Sequence, residues 1–390
     1  MAKVTSWGFT RLRGKVKEAE FRERKNKVIE LSKKRVPSNP RTDAQKTIRN
    51  AYGKCVEKWN KLSYDEKLSW RTIGNSLKMS GYNAFMRQCI SGMIGAIWYE
   101  LTIDNTGNSN TLTDYQVLLN VSGDATFFED CENNQVYLEF YDEDQATLLK
   151  HWVEEWDTTN HNARIWIKVP SIPGSGTKTI YLKINKGRTE DLSNPENVFD
   201  FYDDFIGDAI NTDKWGGNIA SFSISNSIIN CPSSQKWIYS KTFQISDGIL
   251  EAKVKIDSGA RGSTSARTNQ TDTFDPSTVE SYNMNCRYPN GDVRSRKWYG
   301  GSETVLNTSS YSHDTEWHIA RLILNGPEIT FEYEKLDGSN KYSYSTTDTA
   351  LTSGYIGLAT DMIDNGSVYY DWVRVRKYAS PEPSVSYTKM

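Results

Sequence analysis

The segment Gly248-Ile249-Leu250-Glu251-Ala252-Lys253-Val254-Lys255-Ile256 alternates apolar with charged positions. A period of two residues marks a strand with one face in a core and the other turned away from it. Downstream, His318-Ile319-Ala320-Arg321-Leu322-Ile323-Leu324 and Ile329-Thr330-Phe331-Glu332-Tyr333 read the same way. The whole stretch from Phe199 to about Tyr378 is therefore expected to be a β-sandwich.

A second set of strand-like segments lies upstream: Tyr99 to Ile103, Tyr115 to Leu119, Val136 to Phe140, Ala163 to Val169 and Thr179 to Ile184. Turns rich in Gly, Asn and Asp separate them, so this region reads as a smaller sandwich. Asn185 to Asn197 is polar and reads as a linker. Ser380-Pro381-Glu382-Pro383-Ser384 reads as a proline-broken tail.

Before Trp98 the period changes. Ile48, Tyr52, Cys55, Val56 and Trp59 recur at helical spacing, and Ser63-Tyr64-Asp65-Glu66 is a capping box that opens a second helix through Leu68, Ile73 and Leu77. Ser80 starts a third, through Tyr82, Phe85 and Met86. Residues 1 to 35 alternate charged and apolar positions with no core of their own. Two short strands around Lys25-Asn26, pairing with something else, or a free basic arm, both fit that pattern. The expected fold class is a multidomain, mainly β chain in which a small three-helix N-terminal module precedes two β-sandwiches. The expected boundaries are 1–37 for the arm, 38–93 for the helices, 94–190 and 198–379 for the sandwiches, and 380–390 for the tail.

Charge is unevenly placed. Residues 1 to 93 hold 22 Lys and Arg against 8 Asp and Glu, whereas the remainder holds 25 against 41. A basic end of this kind suits an acidic partner, either nucleic acid or another protein of the same assembly, with Arg11, Arg13, Lys15, Arg22, Arg24, Arg41 and Arg49 as anchoring candidates. Trp59 and Trp70 are read as core, which makes DNA the weaker option. Five scattered cysteines lack any C-x-x-C spacing, so neither a disulfide framework nor a zinc site is signalled, although Cys231 and Cys286 could pair. The N-terminus has no apolar signal-peptide core, and Ile90 to Trp98 is about half the length that crosses a bilayer. No membrane span is expected.

Several segments carry family resemblances. Leu101-Thr102-Ile103-Asp104-Asn105, Leu112 to Val117, Leu149 to Glu154, Ala163 to Pro170 and Ile180 to Lys183 make residues 99 to 187 resemble the family called domain of unknown function 2341, which has no assigned activity. Tyr202-Asp203-Asp204-Phe205 with Asn211 to Trp215, and Tyr369-Tyr370-Asp371-Trp372-Val373-Arg374-Val375-Arg376, resemble the opening and closing of a concanavalin A-like lectin or glucanase jelly roll. Thr315 to His318 and Gly354 to Leu358 fall where middle strands of that fold are expected. Asn39 to Thr42, Trp59 to Trp70 and Met79 to Phe85 are similar to segments of structural proteins of tailed prokaryotic viruses; Trp59 to Lys67 also resembles a high-mobility-group box.

Glycosidases on that jelly roll place two carboxylates on one strand. The Glu-x-Asp-x-Glu pattern is missing, and Glu328, Glu332 and Glu334 are the nearest cluster, read here as a solvated strand face. Sugar sites combine an aromatic face with neighbouring polar groups, which selects Trp298 and Tyr299 with Asn285, Arg287 and Arg296. Trp215, Trp237, Trp317 and Trp372 are read as core. Asp203, Asp204 and Asp371 could hold Ca2+ where the chain ends meet; no other cofactor is indicated.

The expected function is that of a non-enzymatic virion structural protein, assembled in the cytoplasm and exposed on the particle or at an extracellular surface. Its N-terminus would anchor to other virion proteins, with homo-oligomerisation, and its jelly roll would meet glycans or stabilise the shell. A secreted or surface-layer adhesin and a polysaccharide hydrolase are the alternatives.

Overall fold

A computed structural model describes residues 2–4, 14–16, 19–23, 29–33, 43–94, 97–231, 235–269, 277–363 and 366–390. The chain divides into two compact units, Met1–Ile94 and Gly95–Met390. It is mainly β, with three helices in the first unit and two sandwiches in the second.

In the first unit, four short strands pair in the order Ala2–Val4, Ile29–Lys33, Ala19–Glu23, Gly14–Val16. Of the anchoring candidates, Lys15 and Arg22 fall on these strands, Arg49 is exposed on a helix, and Arg11, Arg13, Arg24 and Arg41 lie outside the described residues. The helices are α1 (Asp43–Lys61), α2 (Tyr64–Ser76) and α3 (Gly81–Ile94). Ser63 caps α2: its hydroxyl accepts from the Glu66 amide while the Glu66 carboxylate accepts from the Ser63 amide. Gly74 and Gly81 let α2 and α3 touch, because a methyl group on Gly81 would sit 2.7 Å from the Arg71 nitrogen. Trp59 and Trp70 pack against Phe85 at 5.3 and 5.2 Å.

A Cys55–Cys89 disulfide joins α1 to α3. This corrects the cysteine reading: a bridge between two helical cysteines 34 residues apart has no spacing motif to announce it. Cys231 and Cys286 remain separate buried thiols, on strands of two different sheets.

The first sandwich packs a three-stranded sheet (Leu112–Val121, Asn162–Ile172, Lys150–Asp157) on a four-stranded one. The latter runs Ser384–Lys389, Ile97–Asp104, Thr177–Ile184, Leu138–Tyr141. Leu101, Ile103, Leu119, Phe127, Phe140, Ile165 and Ile167 fill the space between them. Its edge strand overturns the reading of 380–390 as a tail. Pro381 and Pro383 break only the connection, after which Val385 and Tyr387 pack on the core and the Tyr387 hydroxyl donates to Asp124 at 2.8 Å.

The second sandwich is a jelly roll of two antiparallel sheets. One runs Trp215–Gly217, Lys236–Ile245, Gly354–Ile363, Ala260–Thr268, Ser281–Arg287, Asp292–Tyr299, Ser302–Ser310. The other is eight-stranded and centred on Val368–Arg376, Gly248–Ile256 and His318–Asn325. Trp215, Ile238, Leu250, Tyr282, Met284, Leu322, Phe331, Leu358 and Val373 lie in the core between them.

The two sandwiches are joined sheet to sheet. The charged alternate positions of Gly248–Ile256, His318–Asn325 and Val368–Arg376 point away from the jelly-roll core, and those nearest the first sandwich are covered by its three-stranded sheet. Glu251, fully buried, accepts from Arg321 at 2.7 Å, from Arg374 at 2.6 Å and from Arg376 at 3.3 Å. Arg374 also donates to Glu154 of the first sandwich at 2.7 Å, and its guanidinium lies 4.8 Å from the Trp166 ring centre and 4.5 Å from that of Trp372. Gln116 ties Val198 and Lys377 together. The expected linker is equally committed, with the Ser193 hydroxyl accepting from Val153 and the Asn194 amide donating to His151. Among the described residues, no helix is long and apolar enough to cross a membrane.

Burial alone would raise the Glu251 carboxyl, but Arg374, then Arg376 and Arg321, overrule it and hold it well below the usual carboxylate range. A depressed folded value gives stability that is complete above the unfolded value, about 4.3, and lost as pH falls through the folded one. Glu251→Gln is therefore expected to cost about 3 kcal/mol at pH 7 by leaving guanidinium groups buried without their carboxylate. In thermal melts from pH 7 to pH 3 the gap to the native chain should narrow only below about pH 4; a constant gap would contradict this account. Removing residues 380–390 should cost about 3 kcal/mol in urea unfolding, from the lost packing of Val385 and Tyr387, and should promote self-association through the bared edge Ile97–Asp104. An unchanged unfolding midpoint would show that the strand contributes nothing.

Candidate functional site

The face of the seven-stranded sheet turned away from the core carries an unusual set of side chains. Strand register aligns them in two neighbouring rows. Trp237, Ala359, Ser263, Asn285 and Arg294 stand opposite one another in one, and Tyr239, Gly357, Ser265, Asn283 and Arg296 in the other. Trp298 follows, between Ser281 and Glu303. The small residues in the middle let larger groups lean inward; a methyl group on Gly357 would lie 3.4 Å from the Trp237 ring. A shallow groove results, bordered by Trp237, Ser265, Asn283, Arg296 and Asp361.

The polar groups hold one another in place. Arg296 donates through Nε and Nη2 to Asn283 Oδ1 at 3.1 and 2.7 Å, and through Nη1 to Glu303 at 3.2 Å and Asp361 at 3.1 Å. Asn283 donates to Ser265 at 2.7 Å and Asn285 to Ser263 at 2.8 Å. Trp298 packs with Trp237, Tyr239, Val279 and Ala359 in a small cluster separate from the main core. A rigid polar strip of this kind can hydrogen-bond sugar hydroxyls, with Trp237, 2% exposed, as part of its buried floor. The two carboxylates nearest the groove, Glu303 and Asp361, are both committed to one guanidinium, which suits holding a shape more than passing a proton.

The structure brings Asn285, Arg287, Arg296 and Trp298 onto this one face. Tyr299, next to Trp298 on the same strand, belongs to the opposite face at the strand end and is half-exposed. Trp298 itself is only 9% exposed and packs behind the residues that line the groove, so it is not an open platform. Sequence reading missed Trp237, placed there with the core, and missed Ser263, Ser265, Asn283, Glu303 and Asp361. Ser263-x-Ser265 and Ser281-x-Asn283-x-Asn285 are the signals that could have found them, since small polar residues alternate there along strands whose other face is buried.

The calcium reading does not survive. Asp203 accepts from the Phe205 amide and, at 2.6 Å, from the Trp215 indole, while Asp371 is paired with Lys253 at 2.6 Å. Among the described residues no three His, Cys, Asp or Glu side chains gather to hold a metal. Glu332 and Glu334, expected on a solvated face, are instead ion-paired with Arg321 and Lys341. Glu328 lies exposed at the start of the same strand and accepts from Asn325.

Residues 134–218 match the family model of the domain of unknown function DUF2341, which thus covers the latter part of the first sandwich and the opening of the jelly roll. No curated protein matches the chain. Among solved structures, a carbohydrate-binding module from Bacillus subtilis is 16% identical, with 43% of this chain and 98% of the module covered and a TM-score of 0.35. A β-glucanase from Bacillus licheniformis is 17% identical, covering 46% and 98% at a TM-score of 0.34. A prokaryotic lichenase from a mouse hindgut metagenome is 15% identical, covering 46% and 99% at a TM-score of 0.34.

Proposed function

We propose that the outer face of the seven-stranded sheet binds a glycan without cleaving it, and that residues 1–94 fasten the chain to a larger assembly, in our reading a virus particle. The observation that carries glycan binding is the groove itself: Trp237 and Trp298 flank rows of fixed Ser, Asn and Arg side chains on a sheet face that has no folding reason to be polar and sheltered at once. Non-enzymatic use is supported by the pairing of Glu303 and Asp361 with Arg296 and by the engagement of Glu332 and Glu334 elsewhere. The anchoring role is supported by the excess of 22 Lys and Arg over 8 Asp and Glu in residues 1 to 93.

The full chain on a broad glycan array is expected to bind a defined subset and to release no reducing sugar from it. Trp237→Ala and Asn283→Ala, checked for native circular dichroism, should each weaken the strongest hit by about 10- to 100-fold, the usual effect of losing an anchor in a small site. Absence of any hit would sink glycan binding, and sugar release abolished by Asp361→Asn would turn the reading into a hydrolase. In electron micrographs of the native assembly, residues 1–94 should lie against its body; their exposure at the periphery would remove the anchoring role.

A further inference from the structure

We infer that the glycan held by this face is anionic, bearing carboxylate or sulfate groups that dock on Arg261, Arg287 and Arg294, on the same sheet face beside the groove. The inference rests on the glycan-binding reading above and names the class of ligand.

Arg261, Arg287 and Asp292 stand directly opposite one another across three strands, and Arg294 follows Asp292 on the same face. Like charges facing each other across a sheet are unfavourable unless something lies between them. Here one carboxylate lies among three guanidinium groups and meets only two of them, through Oδ2, while its buried Oδ1 has no hydrogen-bond partner. Asp292 Oδ2 receives Arg287 Nη1 at 3.2 Å and Arg294 Nε at 3.6 Å, the latter too long for a good hydrogen bond. Arg261 makes no hydrogen bond or ion pair among the described residues, and its buried Nε has no acceptor. The other carboxylates of this face, Glu303 and Asp361, are used by Arg296. Three guanidinium groups thus share one carboxylate, Arg261 is left without a protein partner, and the cluster carries an excess of positive charge at a site where Arg287 is only 7% exposed.

A second observation comes from the adjoining row. Asn285, 0% exposed, gives its amide hydrogens to Gly262 and Ser263, yet its Oδ1 accepts from nothing, and Asn285 stands opposite Arg294. Buried polar atoms are ordinarily satisfied. A sugar acid supplies what both groups lack: its charged oxygens take the forked guanidinium donors, and a neighbouring hydroxyl can donate to Asn285. Arg294 lies four residues along the same strand from Trp298, about 13 Å, so contacts near the tryptophans and at the arginines would fall on different residues of one oligosaccharide.

The test uses the full chain and short oligosaccharides in charged and neutral pairs: oligogalacturonate against its methyl ester for carboxylate, and sulfated dextran oligosaccharide against dextran for sulfate. At least one charged member should bind about tenfold or more tightly than its neutral partner, with the preference shrinking as salt rises. In the Arg261→Gln/Arg294→Gln variant, which alters part-buried side chains and is checked for a native-like melt, the charged member should fall to the affinity of the neutral one. If charged and neutral members bind equally, the anionic assignment is wrong while glycan binding stands. A preference that persists in the variant, or tighter binding of a DNA oligonucleotide at the same arginines, overturns it too. If no member binds, glycan binding itself has failed.

Discussion

One buried carboxylate holds the second unit together. Glu251 sits where two β-sandwiches meet, and three arginines converge on it from neighbouring strands of the same sheet. Such a group is costly to bury alone, and its removal would leave the arginines worse off than if none had been there. Arg374 extends the network into the first sandwich through Glu154 and packs over Trp166 and Trp372, while Arg376 reaches Glu382 on the approach to the last strand. The charged face of the jelly roll therefore serves as an adhesive layer, and its partner sheet supplies both the counter-charge and the aromatic cover.

With that face occupied, the seven-stranded sheet is the one whose outer surface remains for other business. Its polar rows are nearly self-sufficient around Asn283 and Arg296 and incomplete around Asn285 and Arg294. The contrast matters because a satisfied network rigidifies a surface, whereas an unsatisfied one stores an unmet demand for a partner. Within a few residues the same face has both, and the proposed ligand site rests on that contrast.

Much of the architecture was legible in the sequence, since period-two alternation and the Ser63 to Glu66 box act locally and depend on nothing distant. What failed was what depended on contacts between remote segments. Arg374 and Arg376 alternate with Val373 and Val375, a pattern that puts them on the face away from the jelly-roll core but does not show that a separate sandwich covers them. Trp215 and Trp237 are both buried tryptophans on strands of one sheet, but one points into the core and the other into the groove, and alternation assigns faces without saying which face is which. Trp298, Asn285, Arg287 and Arg296 could be proposed together because they sit on the two paired strands of one hairpin. Asp361 and Ser263 could not, as they come from strands far along the chain. The disulfide and the closing strand were missed for the same reason.

The strand Ser384–Lys389 completes a sheet whose other members end at Ile184, so the jelly roll is effectively an insertion within the first sandwich. During synthesis from the N-terminus, that first sheet stays one strand short until nearly two hundred further residues have been made. The chain thus delays its own completion: the earlier domain keeps an open edge, and closes it only after the later one exists to be docked beside it.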